Sequence, residues 1–201
     1  MKKYYWLFLI LFIFGCSSSP KIDTRHYLLN PDIHNTASDI SEHDQQGTKQ
    51  IIIVEPITLA AYLNQRGIVL LTDKHEINVA HYHRWAEPLD ENIHRYMLAV
   101  LSANSSKFAF QGASRSSQQN VHLKLNIAFD QFKGTSDGHA LVAGSWQLID
   151  MSDNTRVLAN SFSYEERLTE SGYTELVNQL AVILDKASLQ ILDKINSSNL
   201  N

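Results

Sequence analysis

Between Val121 and Asp130 the chain alternates without a break. Val121, Leu123, Leu125, Ile127 and Phe129 are apolar, and His122, Lys124, Asn126, Ala128 and Asp130 fall between them. Period two sends successive side chains to opposite faces of a strand, so this strand has one buried face and one wet face. It calls for strand neighbours at its sides and an apolar layer over one face. The following residues supply the neighbours. Lys133 to Gly138 is turn-rich, and Ala140 to Ile149 reads as the next strand, with Val142, Trp146 and Leu148 on one face. Met151 to Thr155 turns the chain, and Arg156 to Arg167 returns. A helix then follows Gly172. Its apolar side holds Tyr173, Leu176, Val177, Leu180, Ile183, Leu184, Ala187, Ile191 and Ile195. Ser171 is the expected N-cap. The tail from Asn196 is polar.

The first half is less regular. Arg25 to Leu29 reads as a short strand. Asn30 to Lys49 has few apolar groups and reads as a long polar surface loop. Gln50 to Glu55 is a strand rich in β-branched residues, which Pro56 ends or places at an edge. Gly67 to Leu71 and Glu76 to Ala80 form an expected hairpin around Thr72 to His75. A first helix begins at Pro88, which fits the first helical position. Leu89, Ile93, Tyr96, Met97, Val100 and Leu101 make its apolar stripe, with Asp90, Glu91, Asn92 and Arg95 on the opposite face. The order is β, long loop, β, short hairpin, α, β, three-strand meander, α. The expected fold is α+β, a mostly antiparallel sheet with two amphipathic helices packed on one face.

The amino terminus decides where the chain works. Met1-Lys2-Lys3 is followed by a 12-residue uncharged stretch, Tyr4 to Gly15, and then by Cys16, the only cysteine in the chain. A basic start, a short apolar run and a small residue before the cut describe a secretory signal. The run is too short for a membrane span, which needs roughly 20 residues. A lone cysteine in a secreted chain has no intramolecular disulfide partner. Its position resembles a bacterial lipoprotein signal, in which the cysteine carries a diacylglycerol and, after cleavage before it, an N-acyl chain. The organisation that follows is residues 1–15 as signal peptide, 16–24 as lipidated tether, 25–196 as one domain and 197–201 as tail. Ser17 after the cysteine, in place of aspartate, favours the outer membrane, with the domain facing the periplasm. With Cys16 acylated, the fold has no thiol for a disulfide, a nucleophile or a metal site.

Removing Lys2 and Lys3 with the signal leaves 15 of the 17 basic residues against 21 acids, a formal charge of −6. That balance does not attract nucleic acid or an anionic membrane surface. Membrane attachment then rests on acyl chains, of which two or more hold stably.

No catalytic constellation is visible. There is no nucleophile elbow around Ser145 and no phosphate-binding glycine loop. His81-x-His83 with His94 offers partial metal-ligand spacing. No third ligand is fixed locally, and nine histidines in 201 residues make such proximity common by chance. Neither a metal nor any other cofactor is expected. Trp85 beside Arg84 and Glu87 has two readings: a plug between helix start and sheet, or a contact anchor.

Val54-Glu55-Pro56-Ile57-Thr58-Leu59, Tyr62-Leu63, Arg66, Ile68-Val69 and Arg84-Trp85-Ala86-Glu87-Pro88-Leu89 resemble the auxiliary lipoproteins of ABC-type transport systems, in particular the PqiC (YmbA) family. Tyr27-Leu28-Leu29 matches the start of that family's domain. Ala60 and Asn64 depart from its usual proline and aspartate. The resemblance implies a non-enzymatic outer-membrane subunit of an envelope lipid-transport system. Its partners would be a periplasmic MCE-domain tube protein and an inner-membrane protein, with ring-like homo-oligomers. It points to Pro56, Leu59, Tyr62, Arg66, Arg84, Trp85, Glu87 and Pro88 as motif or interface residues. A stand-alone lipid-binding lipoprotein, an envelope-assembly lipoprotein and an envelope hydrolase are the competing classes.

Overall fold

The computed structural model describes residues 23–31, 49–113 and 121–198. Cys16, the signal segment and most of the polar stretch 30–49 lie outside these residues. The elements run β1 Arg25–Tyr27, β2 Gln50–Val54, β3 Thr58–Leu59, a 3-10 turn Ala61–Leu63, β4 Gly67–Asp73 and β5 Glu76–Trp85. Helix α1 Leu89–Asn104 follows, then β6 Phe108–Gly112, β7 Val121–Thr135, β8 His139–Asp150, β9 Arg156–Arg167 and helix α2 Tyr173–Ser197.

β7 is the spine of the sheet. One edge pairs antiparallel with β8 from Leu123↔Asp150 to Gly134↔Ala140, and β8 pairs antiparallel with β9. The other edge is shared by three strands, all parallel to β7. β2 pairs with Val121 to Leu125, β3 with Ala128 and Phe129, and β4 with Gly134 and Thr135. The chain from β2 to β4 therefore walks along β7 in its own direction. β6 extends the sheet beyond β2, and β5 and β1 extend it beyond β4. The long antiparallel ladders carry most of the paired residues. The strand expected between the first helix and the meander falls at Phe108–Gly112, but the parallel pairings were not anticipated. They join segments far apart in sequence, so no local pattern announces them.

The alternation of β7 survives folding. Leu123, Leu125, Ile127 and Phe129 are buried, and Lys124, Asn126 and Ala128 keep some access to solvent. A bulge between Phe129 and Gln131 shifts the register, so Phe132 also turns inward. Phe129 meets Phe132 and Phe162 edge to face, at centroid distances of 6.1 and 5.3 Å. Gly144 makes this corner possible. A Cβ there would lie 2.1 Å from Ala128 O and 2.9 Å from the Phe162 ring. α2 lies over β7, β8 and β9, α1 lies against β6, and the helices pack on each other. The Tyr96 hydroxyl ties them, donating to Asp185 Oδ1 at 2.9 Å.

Several local expectations shift. β7 runs on through Thr135, so the turn is confined to Ser136–Gly138. Pro88 is the N-cap and not the first helical residue. Its ψ of 131° is extended, and its carbonyl accepts the Asn92 amide at 3.1 Å. Ser171 does not cap α2. The cap is Gly172, whose φ of +125° few other residues adopt. No side chain caps the helix; Glu175 in its first turn instead holds the preceding loop, accepting from the Thr169 amide at 3.2 Å and the Thr169 hydroxyl at 2.7 Å. α2 also continues through Ser197, because Ile195 is still buried. Among the described residues no helix is long and apolar enough to cross a membrane.

Candidate functional site

Five of the eight motif residues meet at one cleft. Arg66, Arg84, Trp85, Glu87 and Pro88 line it, with His26, Asn64, Gln65, Ala86 and Leu89. Its volume is about 340 Å³. Sequence order alone does not bring 26, 64–66 and 84–89 together; the β1–β5–β4 ribbon does. His26 pairs with Arg84 across β1 and β5, and Arg84 pairs with Gly67 across β5 and β4. The Trp85 amide donates to Arg66 O at 2.7 Å, and the Ala86 amide donates to Tyr27 O at 2.8 Å. These bonds lock the strand exit against the start of α1.

Trp85 plugs the interior. It is 6% exposed, and its ring lies 6.0 Å from that of Phe132. Arg84 is partly buried, and its Nε donates to His81 O at 2.8 Å. Arg66 is exposed, and among the described residues neither arginine has a carboxylate partner. Glu87, the one carboxylate of the lining, is ion-paired with Arg95.

The other three motif residues lie elsewhere. Pro56 lines a second cleft of about 480 Å³, with Asp90, Glu91, His94 and Arg95 of α1. Leu59 pairs with Phe129 and packs on the core. Tyr62 bridges the 3-10 turn to β7, its hydroxyl donating to Asp130 O at 2.9 Å. Lys133 Nζ sits 5.6 Å from the Tyr62 ring centroid. Lys133 is 9% exposed, and burial pushes its pKa down. Burial, assisted by the charge of Asp130, pushes the Tyr62 phenol up.

The three histidines weighed as metal ligands are occupied separately or apart. His94 Nε2 lies 3.1 Å from Val54 O. His83 Nδ1 is hydrogen-bonded to the Tyr27 hydroxyl at 2.8 Å, and its ring stacks on Tyr173 at 3.9 Å. Burial, then the charge of Arg25, pushes the His83 pKa down. His81 is exposed beside Tyr82. Among the described residues no three His, Cys, Asp or Glu side chains gather as a metal site.

One residue of structural weight was misplaced by pattern. Asn92, expected on the wet face of α1, is 1% exposed. Its Oδ1 accepts the Leu29 amide at 2.8 Å, and its Nδ2 donates to Leu29 O at 3.0 Å. Position 92 is three residues after Leu89 and four before Tyr96, so it borders the apolar stripe. That spacing was the available signal.

The described fold agrees with comparison to known proteins. Residues 27–192 match the ABC-type transport auxiliary lipoprotein component family. The chain belongs to this family. It is 29% identical over 195 residues to the intermembrane transport lipoprotein PqiC of Escherichia coli (strain K12), covering 97% of this chain and 98% of that one. The PqiC of Shigella flexneri matches to the same extent. A crystal structure of an uncharacterized protein shares the fold, with a TM-score of 0.72 at 23% identity over 86% of this chain and 99% of that chain. A Xanthomonas campestris protein follows, with a TM-score of 0.62 at 16% identity over 72% and 84% of the two chains. The family is one of transport auxiliary lipoproteins and not of enzymes. The chain is thus an ABC-type transport auxiliary lipoprotein component.

Proposed function

We propose that this protein is the outer-membrane lipoprotein subunit of an MCE-type lipid-transport system. In this reading residues 1–15 are removed, Cys16 carries the diacylglycerol and N-acyl chain, and 16–24 tether a domain of residues 25–196 in the periplasm. The domain docks or receives the far end of the periplasmic tube, works with an inner-membrane partner, forms a homo-oligomer and carries out no catalysis. The observation that carries the proposal is the family match across 27–192, behind a leader that ends at Cys16. Acyl chains explain attachment for an acidic chain, because its charge does not favour an anionic surface.

The test is cross-linked purification of the full-length lipidated protein from native membranes, with partners identified by mass spectrometry. Recovery of an MCE-domain protein is expected. Clean recovery without one, from cells that make that protein, would transfer the reading to a stand-alone lipid-binding or envelope-assembly lipoprotein. Cys16→Ser is expected to leave an intact protein that no longer reaches the membrane, read by membrane fractionation.

A further inference from the structure

We propose that the cleft at the start of α1 binds the phosphate of a phospholipid headgroup through Arg66 and Arg84. The inference rests on the lipid anchoring proposed above, which brings the cleft to a bilayer. The chemistry comes from the side chains. Arg84 is held by its Nε bond to His81 O, which leaves its terminal amino groups without a partner among the described residues. Arg66, joined to the same ribbon through the Trp85 amide, is equally unpaired among those residues. Guanidinium groups present planar donor forks that match phosphate oxygens in pairs. His26 stands in register beside Arg84 and adds a third nitrogen group. The one carboxylate of the lining, Glu87, is already paired with Arg95. The cleft is therefore a local concentration of positive charge on a chain whose net charge is −4.

Size and place select the ligand. A volume of about 340 Å³ lies near the small end of ligand sites, roughly 300–1,000 Å³. It suits a headgroup and not a pair of acyl chains, so the cleft holds a lipid by its phosphate while the chains remain elsewhere. Buried Trp85 and Leu89 add apolar surface to its lining. Cys16 precedes Arg25 by nine residues, and nine extended residues reach about 30 Å. β1, which supplies His26, is thus tied within that distance of the bilayer in which Cys16 is anchored.

The test uses full-length lipidated protein in a non-ionic detergent, titrated calorimetrically with dihexanoyl phosphatidylglycerol and, separately, with inorganic phosphate. Saturable binding of the lipid is expected, weakened at least tenfold in R66Q/R84Q and unchanged in K74Q on the β4–β5 turn. Should the double variant fail to fold, R66E carries the test, because the Arg66 side chain is exposed and the backbone carbonyl that accepts the Trp85 amide is kept. Absence of lipid binding by the wild type, or equal binding by R66Q/R84Q, overturns the proposal. Equal affinity for inorganic phosphate overturns the lipid as source and leaves a free-anion site. Co-purification of the MCE-domain protein is scored on the same variants. Its loss in R66Q/R84Q while the wild type binds no lipid makes the cleft a protein-docking site and overturns the headgroup. Lipid binding with no MCE protein recovered from the wild type keeps the cleft and removes the docking function.

Discussion

The two halves of this protein are held together by different means. β7, β8 and β9 are long, consecutive and antiparallel, with α2 laid across them. Most residues there are positioned by long ladders, each broken by one bulge, and by a repeating apolar pattern. The amino-terminal half is stitched. β3 contributes two residue pairs to the sheet, the β4–β7 contact two, and β1 three. Ladders that short do not stand alone. Side chains and single backbone bonds hold them instead: Asn92 on Leu29, Tyr62 on Asp130, His94 on Val54, and the Trp85 amide on Arg66. The regular half is the scaffold. The stitched half carries the cleft and the motif residues, so specific side chains there serve the fold and, in the reading proposed above, the site as well.

The largest effect should come from the scaffold. Phe129→Ala removes the aromatic that contacts both Phe132 and Phe162, and a truncation of this kind costs about 3–5 kcal/mol. Denaturant unfolding should show one transition, moved as a whole. Asn92→Ala should act differently. It strands the buried amide and carbonyl of Leu29, at about 1–3 kcal/mol each. Hydrogen exchange should quicken first around residues 27–29 and in α1, while β7 and β8 keep their protection. Equal loosening of both halves would erase the distinction drawn here. Tyr62→Phe should cost less, about 1 kcal/mol, for the single bond to Asp130 O. Its effect should be confined to the 3-10 turn and β3.

The same contrast decides what the amino acids announced. Strand alternation at 121–130, the return strand 156–167 and the apolar stripes of both helices were legible because each is a local period. The β4–β5 hairpin was legible for the same reason, but the pairings that flank it were not, since Arg25↔His83 of β1–β5 and Leu70↔Gly134 of β4–β7 join residues about 60 apart. For the site, the family motif named Arg66, Arg84, Trp85, Glu87 and Pro88. Their shared cleft, and His26 within it, needed the sheet order. Trp85 resolves toward the plug, because Phe132 lies beneath it. Asn92 shows the limit of the helical wheel. A residue at the border of a stripe is read as wet unless its backbone partner is known.

Acid should separate the halves with the gentlest perturbation. His83 joins β5 to Tyr27 in β1 and to Tyr173 at the start of α2, and its pKa is lowered by burial and by Arg25. The unfolded chain therefore binds the proton first. The stability His83 contributes is full above its unfolded value, about 6.5, and is lost as pH falls through the lower folded value. Glu175 follows the same sign in a lower window. Bonds from Gln179 and Thr169 hold its carboxyl down to about 2. Its contribution is present above the unfolded value, about 4.3, and fades as pH falls toward the folded one. On acidification, β1 should lose amide protection, corrected for intrinsic exchange, before the loop 168–172 does. β8 should hold through both steps. His83→Gln should remove the first step and leave the second. Simultaneous loss at β1, the 168–172 loop and β8 would mean that the stitches and the ladder open as one unit, and the two-part account of this fold would fail.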